Sequence, residues 1–197
     1  MPGRLIYLMG PSGAGKNSLI ASAREKLNKN KQLYFLPRYV TRQVSEQASG
    51  DDDFSISAAA FAHYKHIGAF ALDWEAHGYC YGVSVTLDTL LRAGKCVVVN
   101  GSRAYLETAR KKYPQMTAVL ITVPADVART RLEMRARENM DAINARVERA
   151  PEIAKHGLPP AQYITIDNSG PLEHASQALL RVLLAGEPAS YHSGGPA

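Results

Sequence analysis

Four short apolar runs set the rhythm of this chain: Leu5-Ile6-Tyr7-Leu8-Met9, Cys96-Val97-Val98-Val99, Ala118-Val119-Leu120-Ile121-Thr122-Val123 and Tyr163-Ile164-Thr165-Ile166. None alternates apolar with polar, so each predicts a strand buried on both faces, as in a parallel sheet covered by helices. Helical spacing fills the gaps. Leu19, Ile20, Ala23 and Leu27 share one face of a helix over 16–27. Further helices are predicted over 87–93 (ended by Gly94), over 104–113 (ended by Pro114), from Ala125 onward, and over 172–184 (ended by Gly186). Strands alternating with helices predict an α/β fold of three layers around a central parallel sheet. Ligands of such sheets bind at the carboxyl ends of the strands.

Residues 37–82 interrupt that rhythm. They carry an acidic turn (Gly50-Asp51-Asp52-Asp53), a small helix near 58–67 and aromatic pieces around Trp74, Tyr79 and Tyr81. The segment reads as an insertion over the sheet edge. Residues 187–197 lack periodicity and read as a flexible tail, which leaves 1–186 as one domain. Internal repeats are not evident.

Between the first strand and the first helix lies Gly10-Pro11-Ser12-Gly13-Ala14-Gly15-Lys16-Asn17-Ser18. The spacing Gly-x-x-x-x-Gly-Lys in a strand–turn–helix context is that of a phosphate-binding P-loop. Glycines let successive N–H groups converge on one anion, the helix N-terminus adds partial positive charge, and Lys16 adds a full one. Residues 10–18 are therefore the candidate nucleotide site. Asn17 stands where a Ser or Thr hydroxyl ordinarily meets Mg²⁺. Either Asn17 through its amide oxygen or Ser18 through its hydroxyl is then the metal ligand.

Composition narrows the class. The 197 residues are 46% hydrophobic and 21% charged, ordinary for a globular protein able to bury a core. No run approaches the roughly 18 apolar residues that span a bilayer. The first strand starts too early to leave room for a signal peptide. Cys80 and Cys96 lack metal-type spacing, and beside an ATP-type site they read as free thiols of a cytoplasmic protein. The net charge of +5 fits either nucleic acid or small polyanions. Six arginines fall between 129 and 149 (Arg129, Arg131, Arg135, Arg137, Arg146, Arg149), interleaved with Glu133, Glu138, Asp141 and Glu148. That dilution favours small phosphorylated ligands over nucleic acid.

The loop at 10–16, Thr41-Arg42, Tyr81-Gly82, and Arg135 with Arg146 resemble the guanylate kinase family over roughly residues 4–184. The resemblance implies a P-loop kinase of three parts: a core, an acceptor-binding region (about 37–84) and an arginine-bearing lid (about 129–149). It implies ATP and Mg²⁺ as cofactors and Lys16, Arg135 and Arg146 as catalytic residues. The acceptor region departs from that pattern. Ser45 stands where a second phosphate-binding Arg is expected, Phe54 where a Tyr, Ala48 where a Glu, and Asn100 where an Asp; Glu75 does align with a guanine-reading Glu.

Those departures are similar to the ribose 1,5-bisphosphate phosphokinase family. Arg38-Tyr39-Val40-Thr41-Arg42, the stretch from Trp74 to Val83, Val99-Asn100-Gly101-Ser102-Arg103 and the lid from Arg137 to Arg146 carry the likeness. It implies conversion of ribose 1,5-bisphosphate to 5-phosphoribosyl 1-diphosphate, in the use of phosphonate-derived ribose phosphate. Arg38, Thr41, Arg42, Glu75, Tyr81, Asn100 and Arg103 are then the substrate-binding candidates. A phosphate acceptor has a second pKa near about 6 and is already a nucleophilic anion, so no general base is required. That holds for GMP too, which keeps guanylate kinase as an alternative beside a catalytically dead interaction module. The triplet Asp51-Asp52-Asp53 reads as a turn, the six histidines show no ligand pattern, and Trp74 and Tyr79 read as packing residues.

Overall fold

In the computed structural model, residues 3–42, 53–134 and 163–185 are described. Strand β1 (Arg4–Met9) occupies the centre of a parallel sheet, because Leu5 to Met9 are apolar on both faces and each is at most 3% exposed. Helix α1 (Lys16–Lys26) follows it, and β2 (Leu33–Leu36) forms one sheet edge. A later strand, Cys96–Asn100, separates β2 from β1, with Ile6 beside Val98 and Tyr7 beside Val99.

A second sheet interrupts the first after β2. It contains β3 (Arg38–Val40), β4 (Phe54–Ser55), β5 (Phe70–Ala76) and β6 (Tyr79–Ser84), in the order β4-β3-β6-β5. β5 and β6 form a hairpin whose two turn residues, His77 and Gly78, both have positive φ (54° and 77°), the geometry that matches strand twist. Helix α2 (Ala58–His66) begins at Ser57, whose hydroxyl accepts from Ala60 N at 3.1 Å. It covers one face of this sheet through Tyr39, Phe61, Tyr64 and Phe70.

The chain then returns to the first sheet through α3 (Thr86–Arg92), β7 (Cys96–Asn100), a 3₁₀ turn over Arg103–Tyr105 and α4 (Leu106–Lys112). It finishes with β8 (Thr117–Thr122), α5 (Ala125–Met134), β9 (Ile164–Asp167) and α6 (Leu172–Leu184). The parallel order is β2-β7-β1-β8-β9. One face packs Ile6, Leu8, Val98, Val119 and Ile121 against Leu19 of α1 and Leu179 and Leu183 of α6. The other packs Tyr7, Met9, Val97 and Val99 against Trp74, Val83, Leu87 and Leu106. Each such buried side chain contributes about 1.5–3 kcal/mol relative to exposure.

This three-layer architecture is the one expected. Two details differ. Leu33–Leu36 forms an edge strand that was not expected, although Leu33-Tyr34-Phe35-Leu36 is itself a short apolar run. The helix expected over 104–113 is a 3₁₀ turn continued by a short α-helix. The expected tail at 187–197 lies outside the described residues.

Candidate active site

The phosphate loop occupies the carboxyl end of β1. Gly13 and Gly15 take left-handed φ values of 77° and 81°, which exclude most side chains. A Cβ at Gly13 would also lie 2.7 Å from the Ala128 carbonyl. Gly15 caps α1 without a side chain, and no acid occupies the first turn, so the helix end stays positive. Lys16 folds back over the loop: its Nζ donates to the carbonyls of Gly10 (2.8 Å) and Pro11 (2.9 Å). That arrangement holds the ammonium against the start of the loop, at the carboxyl end of β1.

Two residues that were not among the site candidates join the loop. Asn168, directly after β9 and only 3% exposed, donates from Nδ2 to the Ala14 carbonyl at 2.8 Å. Its Oδ1 is buried without a partner among the described residues, as is Nη1 of Arg131 near the end of α5. A Cβ at Gly15 would sit 2.5 Å from Asn168 Nδ2 and 3.8 Å from that Nη1. An unpaired acceptor and an unpaired cationic donor, both buried against a phosphate loop, suit a nucleotide. Arg131 falls at the start of the arginine-rich stretch at 129–149, whereas Asn168 lies in no sequence motif and meets its partner across 154 positions.

Beyond Asn17 the site opens into a cleft. Ile20, Phe35 and Val98 line it together with Asn17, Arg38, Asp53 and Asn100. Arg38 and Asp53 form a bidentate ion pair, with Nε to Oδ1 at 3.0 Å and Nη2 to Oδ2 at 2.6 Å. Nη2 of Arg42 lies 3.8 Å from the same carboxylate. The third donor of Arg38, Nη1, reaches the Asn100 carbonyl at 3.1 Å. Asn100 in turn donates from Nδ2 to Asn17 Oδ1 at 3.0 Å. The amide of Asn17 therefore faces another amide, and Asn100 Oδ1 is left buried without a partner among the described residues.

Aromatic rings support this side. Tyr81 stacks on Trp74 (centroids 5.5 Å apart, 6° between planes), and Trp74 stacks on Tyr105 at 5.6 Å. The Arg38 guanidinium lies 5.1 Å over the other face of Tyr81. Trp74 is thus the packing residue expected. Thr41 Oγ1 accepts from the Cys80 amide at 2.9 Å, which fixes the end of β3 on β6.

The turn Asn100-Gly101-Ser102-Arg103 is shaped by Tyr7. A Cβ on Gly101 would lie 2.1 Å from the Tyr7 ring, so only glycine lets the turn lie flat there. The buried Tyr7 hydroxyl accepts from Ser102 N and donates to Ser102 O, both at 2.9 Å. Burial raises the phenol's pKa well above its ordinary value of 10.0. Burial also lowers the pKa of the Arg103 guanidinium below its ordinary value.

The structure thus brings Asn17, Arg38, Arg42 and Asn100 together, with Tyr81 behind them and Thr41 and Arg103 on adjoining turns. Glu75 it keeps apart. Glu75 pairs across the hairpin with Cys80, while Tyr81 pairs with Trp74, so Glu75 is exposed on the opposite sheet face. The lid arginines Arg135 and Arg146 lie outside the described residues. No cluster of three His, Cys, Asp or Glu able to hold a metal occurs among the described residues.

A family model described as guanylate kinase matches residues 2–185. The chain is 45% identical over 180 residues to the Pseudomonas paraeruginosa protein named ribose 1,5-bisphosphate phosphokinase PhnN, covering 91% of this chain and 95% of that one. A protein of the same name from Desulfomicrobium baculatum is 42% identical over 181 residues, covering 92% and 94%. The chain belongs to the ribose 1,5-bisphosphate phosphokinase branch of the guanylate kinase family. A solved guanylate kinase from Anaplasma phagocytophilum shares the fold, with a TM-score of 0.66 at 18% identity over 93% of this chain and 86% of that one. The guanylate-kinase-like fold and the family expected from the motifs are both borne out. Among the described residues no helix is long and apolar enough to cross a membrane.

Proposed function

We propose that this protein transfers the γ-phosphoryl group of ATP to the 1-phosphate of ribose 1,5-bisphosphate, giving ADP and 5-phosphoribosyl 1-diphosphate. The observation that carries the reading is similarity over nine-tenths of the chain to relatives named for that activity. The site supports it. An acceptor with two phosphates brings more negative charge than a nucleoside monophosphate, and the end of β7 offers it a neutral amide, Asn100, instead of a carboxylate.

An oxygen of the acceptor phosphate attacks the γ-phosphorus, and the bond between that phosphorus and the bridging β–γ oxygen breaks. The acceptor is already anionic near neutral pH, so no side chain need remove a proton. Catalysis reduces to positioning and to cancelling repulsion between two polyanions. Residues 10–18 hold the nucleotide phosphates, Lys16 neutralises charge on the transferred group, and Asn168 and Arg131 add contacts on the nucleotide side. Thr41, Arg42, Tyr81, Asn100 and Arg103 form the acceptor side, with Arg38 behind them. Arg135 and Arg146 act as lid residues that close on both substrates and exclude water.

Mg²⁺ fits this donor set as an ion that arrives with the nucleotide. The loop offers oxygen donors at Asn17 and Ser18, with Asn100 Oδ1 beside them, and no protein cage of carboxylates. When bound, it screens the β- and γ-phosphate charge. Residues 1–186 act as one kinase domain in this reading, and the cytoplasm, where ATP is available, is the compartment. The test is ADP release with ATP, Mg²⁺ and either ribose 1,5-bisphosphate or GMP. Turnover with the bisphosphate is expected. Turnover with GMP alone makes the protein a guanylate kinase, and none with either favours an interaction module.

A further inference from the structure

We infer that Asp53 is a positioning residue for phosphoryl transfer: it fixes Arg38, and Arg38 fixes Asn100 and Asn17 beside the phosphate loop. The inference rests on the kinase reading above but not on the identity of the acceptor.

Asp53 precedes β4, whose Phe54 pairs with Tyr39, so its carboxylate lies level with Arg38. Three donors of Arg38 converge on the two Asp53 oxygens: the backbone N (3.2 Å), Nε and Nη2. Both side chains are nearly buried, at 12% and 11% exposure. The remaining edge of the guanidinium, Nη1, holds the Asn100 carbonyl, and Tyr81 covers one of its faces. A guanidinium so occupied acts as a strut between the two sheets, not as an anion clamp. Its far end is Asn100, which lies at the end of β7, grips Asn17 and keeps Oδ1 buried and without a partner among the described residues. One network therefore runs from the inserted sheet to the residue after Lys16.

Charge and geometry predict opposite signs when Asp53 is changed. Asp53 is the one acidic side chain among the described residues lining the cleft, and it faces Arg38 and Arg42. Removing its charge leaves the cleft more cationic, so electrostatics alone predicts tighter binding of a polyanionic acceptor. A strut predicts the reverse, because Arg38 loses its bidentate partner and Asn100 loses its brace.

The test compares wild type with Asp53→Asn, Arg38→Lys and the double variant on whichever acceptor the wild type turns over. Ribose 1,5-bisphosphate and GMP are both offered, so a wrong acceptor assignment shows in the wild type and leaves the Asp53 comparison intact. Each single variant is expected to lower kcat/KM for the acceptor by about tenfold to a hundredfold, as displacement of positioned groups does. The acceptor KM should rise, and rise more than KM for ATP, whereas a general loss of folded protein lowers apparent kcat and leaves both KM values unchanged. The double variant should be no worse than the poorer single one, since both remove the same strut. Arg38→Lys keeps the charge, and serves alone where Asp53→Asn does not fold. An unchanged or lower acceptor KM in Asp53→Asn, near wild-type kcat/KM in Arg38→Lys, or losses that multiply in the double variant would overturn the inference.

Discussion

Gly101→Ala places a methyl group where the structure has no room for one. The new Cβ would lie 2.1, 2.4 and 2.5 Å from three atoms of the Tyr7 ring, against ordinary contact at 3.4 Å or more. The ring cannot give way. Tyr7 is 0% exposed in the middle of the central strand, and its hydroxyl is held from both sides by the Ser102 backbone. The turn must move instead, by about 1.3 Å if the shortest contact is to relax to 3.4 Å. Overpacking of that kind costs about 2 kcal/mol, which lowers Tm by about 4–8 °C in a chain of this size. The same movement displaces Asn100 and Arg103, and an error near 1 Å at positioned groups costs about a hundredfold in rate. Thermal unfolding and coupled ADP release, run on one preparation, read both effects. A Gly101→Ala protein with the wild-type Tm and wild-type kcat/KM would refute the claim that Tyr7 shapes this turn.

Three further outcomes follow from the packing around the site. Asn168→Ala removes the side chain that braces Ala14, and should raise KM for ATP about tenfold with little change in acceptor KM, as loss of one buried hydrogen-bonding group does; equal change in both would place Asn168 elsewhere in the mechanism. Trp74→Ala deletes the middle ring of the Tyr81–Trp74–Tyr105 stack, and should cost about 3–5 kcal/mol in denaturant unfolding. The folded-state pKa of Tyr7 is raised above its ordinary value of 10.0, so folding retains the phenol proton more tightly than the unfolded chain does. Its contribution is full below pH 10.0 and declines as pH rises beyond it; Tyr7→Phe should flatten that alkaline loss of stability, measured by denaturant titration at several pH values.

How far this site could be read from sequence depends on whether its contacts are local. The strand, loop and helix over 4–26 are contiguous, and glycine spacing with Lys16 states both the conformation and the charge. The end of β7 was also legible, because Asn100, Gly101, Ser102 and Arg103 are adjacent. Their cause was not: the glycine answers to Tyr7, far earlier in the chain. Asp53 read as part of an acidic turn because its partner lies 15 positions back, on a strand too short to carry a period of its own. Asn168 is hidden more deeply, as a single polar residue after an edge strand that meets the loop only once the sheet has formed. Glu75 shows the converse. Its position in a motif suggested the cleft, and hairpin alternation turns it to the other face.

The most direct test of the account follows the phosphorus atoms themselves. Phosphorus NMR of ribose 1,5-bisphosphate incubated with ATP, Mg²⁺ and the protein should show the 1-phosphate signal replaced by two mutually coupled diphosphate signals, with the 5-phosphate unchanged and ADP formed in equal amount. A 1-phosphate signal that persists while GMP in the same tube becomes GDP would contradict it.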